Sequence, residues 1–341
     1  MGSEMCIRDR HNGTKIGVIT IPSFYLDFER QQQNTGNYNS TSRDVSRILS
    51  ELNAEHVDGI VIDLRDDGGG SLDEVVKVTG LFIPNGPVVQ ITNAAGGKVV
   101  LRDDDRRQQY SGPLAVLVNR YSASASEIFA AAIQDYGRGV ILGERTFGKG
   151  TVQSIIKLER PFSFFRKKQE LGQIKLTVAK FYRISGGSTQ HKGVVPDLLL
   201  PSMIDQSKIG EDTYTSSLPW STISRAFYRP TAEVTPDELK VLRQKEQERL
   251  PKNHQYQSYL QDLKLLDQIR KRKSVLLQDS AFKSDIETIK RIEKQWVQES
   301  EAVKDLQKDV LLNESARIVS DLAELMMKQK QIVIRTLPSL N

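Results

Sequence analysis

Cysteine is almost absent from this chain of 341 residues, with Cys6 standing alone. That excludes an intrachain disulfide framework and a cysteine-built zinc site. Long apolar runs are missing too. No stretch reaches the roughly 18 apolar residues of a membrane-spanning helix, and Met1–Arg10 has no apolar core of a signal peptide. Histidine is scarce: His11, His56, His191 and His254 sit in no recognisable triad motif, and no serine occupies a Gly-x-Ser-x-Gly elbow. An excess of one charge is lacking as well. Lys and Arg number 48 against 43 Asp and Glu, and the resulting +5 is too mild to argue for nucleic acid. Asp103-Asp104-Asp105 lacks the spacing and companion ligands of a metal site. No metal and no cofactor is expected.

What is present is a globular composition, 38% hydrophobic and 27% charged, long enough for about two domains. Residues 1–13 are expected to be unrelated to the rest, because Met1–Arg10 looks like a translated sequencing adaptor joined to a truncated reading frame. Lys15–Pro22 reads as a short buried strand ended by proline, and the Gln- and Asn-rich stretch 30–40 as a loop. Val45, Ile48, Leu49 and Leu52 recur at helical spacing, and Gly59–Leu64 is an apolar run fit for a fully buried strand. The turn Arg65–Gly70 leads into a helix from Ser71, where Ser71-x-x-Glu74 is a capping box. Strands are expected over 88–92, 99–101, 114–118, 140–142, 151–158 and 173–184, and a helix over 125–136 ending at Gly137. Alternating strand and helix makes residues 14–201 an α/β core.

Beyond Pro201 glycine nearly vanishes, and Glu, Lys, Gln and Leu dominate. Thr235-Pro236-Asp237-Glu238 is a helix start. Ile286, Ile289, Ile292, Trp296, Val303, Leu306 and Val310 form an apolar stripe, and 313–330 reads as a further helix. Residues 202–341 are therefore expected to be an all-α C-terminal domain. Arg270–Lys273 reads as the solvated face of a charged helix.

Two segments carry chemistry. Ser124 lies in Asn119-Arg-Tyr-Ser-Ala-Ser-Ala-Ser-Glu-Ile-Phe-Ala130, and Lys149 in Gly143-Glu-Arg-Thr-Phe-Gly-Lys-Gly-Thr-Val-Gln153. Ser124-x-x-Glu127 is also a capping box, so the hydroxyl has a plain use as a helix N-cap. The same position offers backbone N–H groups and a positive helix end to a developing oxyanion, with the Ala125 amide as one donor. Ser122 and Ser126 remain rivals on spacing alone. A lysine serves as a base only when uncharged, which requires burial. The glycines around Lys149 let the chain fold tightly about it, and Gln153, four residues on, can share its face of a strand.

Together the segments resemble the tail-specific, or C-terminal processing, proteases, a serine peptidase family, strongly over residues 14–201. The resemblance implies a ClpP/crotonase-like ββα spiral core followed by helices of the bacterial periplasmic type. It selects Ser124 as nucleophile and Lys149 as base. It also implies Gln153 beside the lysine, the Gly70 amide as second oxyanion donor with Ala125, and a functionally sensitive Asp135. About 16 Å of helix separates Asp135 from Ser124, so a supporting role is expected. The implied partners are protein or peptide substrates engaged through their C-termini, with room for an adaptor protein and none for nucleic acid. A PDZ domain usually precedes the strand matching Lys15–Pro22.

Two other classes compete with this one. Gly143–Lys149 fits Gly-x-x-x-x-Gly-Lys of a nucleotide-binding P-loop, yet Gly150 stands where the magnesium-binding Ser or Thr belongs, and 151–156 favours a strand over the required helix. A catalytically silent scaffold using its helical half for partners is the other. A covalent serine probe separates it from an enzyme.

Overall fold

The computed structural model describes residues 4–11, 13–33, 38–158, 172–272, 279–296 and 309–336. Its first part is an alternating run: β1 (Glu4–His11), β2 (Thr14–Thr20), α1 (Phe28–Gln32), α2 (Thr41–Ala54), β3 (Gly59–Asp63), α3 (Leu72–Gly80), β4 (Gly86–Asn93), β5 (Lys98–Asp103), β6 (Leu114–Val118), α4 (Ala125–Tyr136) and β7 (Val140–Gly143). β8 (Thr151–Lys157), β9 (Gln173–Tyr182) and β10 (Leu198–Leu199) follow, then the helices α5 (Pro236–Arg249), α6 (His254–Arg270), α7 (Asp279–Trp296) and α8 (Val310–Thr336).

Six strands form one sheet in the order β1-β2-β3-β6-β7-β10. From β2 to β10 all neighbours are parallel, with Ile16 opposite Gly59 and Ile60 opposite Leu114; β1 runs antiparallel on the edge of β2. Successive side chains of a strand point to opposite faces, and here both faces are covered. Ile60, Ile62, Leu114 and Val116 pack with Val45, Ile48, Val75 and Phe129 of α2, α3 and α4. Val61, Ala115 and Leu117 pack instead with Leu242, Tyr256, Leu312, Val319 and Leu322 of the C-terminal helices. Each such side chain contributes about 1.5–3 kcal/mol when fully buried. The helical half thus closes the second face of the core sheet.

A second, antiparallel sheet has the order β5-β4-β9-β8. The Gln- and Asn-rich stretch read as a loop begins inside α1, which Asp27 caps by accepting the Arg30 N–H at 3.1 Å. The Ser71 box is half made: its hydroxyl accepts the Glu74 N–H at 3.3 Å, while the Glu74 carboxylate takes Ser40 and Ser42 instead. The box at Thr235 is complete, with Pro236 in the first turn. Of the apolar stripe, Ile292 is buried on α7, and Trp296 donates to Asp262 of α6 at 2.7 Å. Val303 and Leu306 lie outside the described residues. Lys271 and Arg272 pair with Asp267 and Asp285 at the surface.

Candidate active site

Parallel strands deliver their C-terminal ends to one edge, where ligands of open α/β sheets gather. The turn after β3 and the turn after β6 meet there. Asp67 O accepts from Ala123 N–H and from Ser126 Oγ, both at 2.9 Å. Gly69, at φ +101°, lies so close that a Cβ would stand 2.8 Å from Ser124 Cβ and 2.9 Å from Ala125 N. Any larger residue there would displace the serine turn. Phe24 fixes the other side of the loop, taking its N–H to Gly69 O at 3.0 Å and accepting Ser71 N–H at 2.7 Å.

The three serines of the motif are placed differently. Ser122 is fully buried and donates to Leu64 O at 2.8 Å, and Ser126 is equally buried on Asp67 O. Ser124 lines an open cavity of about 390 Å³. Its backbone stands at φ +57°, ψ −110°, a conformation that costs a non-glycine residue of order 1–3 kcal/mol. The expected capping box is present, its firmer half being the Ser124 N–H donating to Glu127 Oε2 at 2.9 Å. The Ser124 hydroxyl lines the cavity and makes no hydrogen bond to another side chain among the described residues. The Gly70 and Ala125 amides beside it are not taken by any other group among the described residues.

Glu127 ties the serine turn to the lysine turn. Its buried carboxylate accepts Thr146 Oγ1 at 2.6 Å, Gly148 N–H at 2.7 Å, Lys149 N–H at 2.8 Å and Ser124 N–H at 2.9 Å. Burial pushes this carboxyl up to about 7, and the four donors pull against that shift. Below, the fully buried Arg120 donates to Thr146 O and Ile209 O and pairs with Asp212, each at 2.6 Å. Sequence reading treated Glu127 as a cap. Its spacing from Ser124 was the available signal, but its reach to Lys149 depends on how two distant turns dock.

Lys149 lines the same cavity and is half-buried. Burial holds its ammonium below the ordinary lysine value, helped by the like charge of Lys175 and opposed by Glu211 and Glu127. Gln153 also lines the cavity, from β8, where the ladder shifts register between Val152 and Gln153. It is exposed and makes no hydrogen bond to Lys149. Nor does a hydrogen bond join Ser124 to Lys149. Asp135 stands apart at the far end of α4. There it accepts from Arg183 Nη2 at 2.6 Å and Ser185 Oγ at 3.0 Å, the compensation an acid at a helix C-terminus needs. His56, His191 and His254 do not line the cavity, and the His191 ring bonds Ser217 at 2.7 Å.

A nucleophile-like serine, two idle amides and a half-buried lysine thus share one opening. The sequence profile of peptidase family S41 matches residues 15–200. The chain belongs to peptidase family S41. A second profile, the C-terminal domain of tail specific protease, matches residues 204–324. The chain is 37% identical over 329 residues to the tail-specific protease of Haemophilus influenzae, covering 92% of this chain and 45% of that protein. It is 36% identical over 170 residues to the carboxy-terminal-processing protease of Bartonella bacilliformis, covering 49% of this chain and 37% of that one. Among solved structures, the photosystem II D1 C-terminal processing protease aligns at a TM-score of 0.46 and 29% identity, over 58% of this chain and 47% of that chain. The chain spans less than half the length of these relatives.

Proposed function

We propose that this S41 chain is a serine endopeptidase in which Ser124 is the nucleophile and Lys149 its base. The observation that carries the reading is the Ser124 hydroxyl, placed on a strained helix-entry turn and sharing a cavity with a lysine whose burial disfavours its charge. Neutral Lys149 accepts the Ser124 proton as Oγ attacks a peptide carbonyl. The Gly70 and Ala125 amides hold the oxyanion, and Lys149 returns the proton to the leaving amine before water releases the acyl group. The base–nucleophile hydrogen bond forms as substrate closes the site, a tightening common in such centres. The Gln153 carbonyl, on the same cavity wall, takes up the Lys149 amine in that same closure. Glu127 positions the two turns, Asp135 ties the far end of α4 to Arg183 and Ser185, and neither touches substrate.

Relatives named tail-specific and carboxy-terminal-processing proteases support a substrate class of proteins engaged through their C-termini, and the setting we infer from the family resemblance is the bacterial periplasm. No helix among the described residues is long and apolar enough to cross a membrane. A serine-reactive phosphonate followed by peptide mass spectrometry is the test. The adduct is expected on Ser124, and an adduct on Ser122 or Ser126 would overturn the assignment. Two protein substrates differing only in an apolar or charged C-terminal residue test the substrate class, with faster cleavage expected for one of the pair.

A further inference from the structure

Among the described residues, the cavity at Ser124 is lined by two amines and no carboxylate: its charged lining residues are Lys149 and Lys175. Lys175 stands on β9 opposite Ile155 of β8, and Gln153 stands opposite Thr177. Directly opposed residues share a face and successive ones alternate, so positions 153, 155, 175 and 177 lie on one side of the hairpin. That places Lys175 with Gln153 on the cavity side. Lys175 is exposed and engages no carboxylate among the described residues, unlike the surface lysines Lys77 and Lys245, which are paired.

We propose that Lys175 is a positioning residue for catalysis, a fixed positive charge on the cavity wall that makes the more enclosed Lys149 the amine that gives up its proton. The inference rests on the Ser124/Lys149 reading above. Burial disfavours the charge on the more enclosed Lys149, and a like charge in the same cavity adds to that. The charged groups facing Lys149 come from three elements. Lys175 on β9 favours the neutral amine, while Glu211, at the 3-10 turn Glu211–Thr213, and Glu127 on α4 favour the ammonium. Both acids are partly spent elsewhere: Glu211 accepts from Gln190 at 3.2 Å, and the Glu127 oxygens take four donors. Lys175 has no such partner among the described residues.

The test titrates Lys149 without relying on activity. The full chain is labelled with acetic anhydride across a pH series, and modification of Lys149 is quantified by mass spectrometry in wild type, Lys175→Gln, Lys175→Glu and Lys175→Arg. The Lys149 midpoint is expected to rise in the Gln variant, rise further in the Glu variant and stay in place in the Arg variant. Ester hydrolysis by Lys175→Gln should fall roughly three- to tenfold below that midpoint and recover above it. Raised salt should move the wild-type midpoint upward and leave that of Lys175→Gln unchanged, since an exposed charge is screened. An unmoved midpoint in both Gln and Glu variants overturns the proposal, as does an activity loss equal at every pH. A Lys149→Arg variant that hydrolyses ester like wild type would instead sink the dyad reading, leaving the labelling result to stand on its own.

Discussion

The serine side of the cavity rests on the six-stranded sheet, buried on both faces, whereas the lysine side runs into the β8–β9 hairpin, where Ile155 is 66% and Leu176 42% exposed. On the first side every neighbour of Ser124 is fixed: Ser122 and Ser126 are buried and bonded, and the Gly69 turn leaves no room for a side chain. On the second, Lys149 is held by its backbone while its amine meets an open wall. The difference matches two chemical demands. A nucleophile needs a fixed direction of attack, which rigid packing supplies. A lysine base needs a fixed balance of charges, which a partly solvated wall can set through residues such as Lys175. Glu127 is the joint between the sides.

The sharpest way to break this contrast is to remove each reacting group in turn. Ser124→Ala should abolish peptide hydrolysis, a loss of roughly 10⁴-fold or more, while the fold survives with at most the loss of a helix cap, about 1 kcal/mol. Activity surviving in that variant, or lost equally in Ser122→Ala without unfolding, would end the serine assignment. Lys149→Arg should cost about 10³-fold or more, since arginine stays protonated and cannot take the proton. The basic-going limb of the pH–rate profile on a small ester should disappear with it.

Next in size is the joint. Glu127→Gln keeps the shape but replaces one acceptor oxygen by an N–H₂ facing donors, so at least one of four bonds must break. Activity is expected to fall about 10- to 100-fold, as a displacement near 1 Å costs that much. The phosphonate should still label Ser124, more slowly. If Glu127→Gln retains wild-type rates, the two sides do not depend on that carboxylate for their alignment.

Much of this arrangement was legible beforehand, and the reasons differ by region. The α4 helix was readable to the residue because Ser124-x-x-Glu127 marks its entry and Gly137 supplies a left-handed C-cap at φ +62°. The buried strands 59–63 and 114–118 announced themselves as continuous apolar runs. The partner of Asp135 was required by the helix dipole but could not be named, because Arg183 lies 48 residues away and only the β4–β9 pairing brings it there. Gln153 was expected to continue the strand face of Lys149. The lysine precedes β8, and a register shift intervenes at Val152, so alternation could not be counted across it. Lys175 carried no local signal at all. Its place depends on hairpin register.

The smallest predicted effect on activity concerns Asp67, and it separates the two sides by sign. This carboxyl is fully buried, with Oδ1 accepting Gly69 N–H at 2.7 Å and Oδ2 unpartnered among the described residues. Burial pushes it from 3.8 up to about 7, so between those values the folded chain holds a proton the unfolded chain has lost. Its contribution to stability is complete below about 4 and is lost as pH rises through about 7. Asp67→Asn keeps an oxygen for Gly69 and has no proton to lose. It should match wild type in denaturant at pH 4 and exceed it by about 1–3 kcal/mol at pH 8, with hydrolysis changed by less than about threefold. Glu127, also near 7, preserves part of the wild-type slope in that variant. The lysine side should answer in the opposite direction. Lys149 is held below its unfolded value, so its charge penalty eases as pH rises, and Lys149→Met should gain stability relative to wild type on the acid side. Parallel stability curves for wild type, Asp67→Asn and Lys149→Met would show that neither side carries a buried charge cost, and the contrast between them would fail.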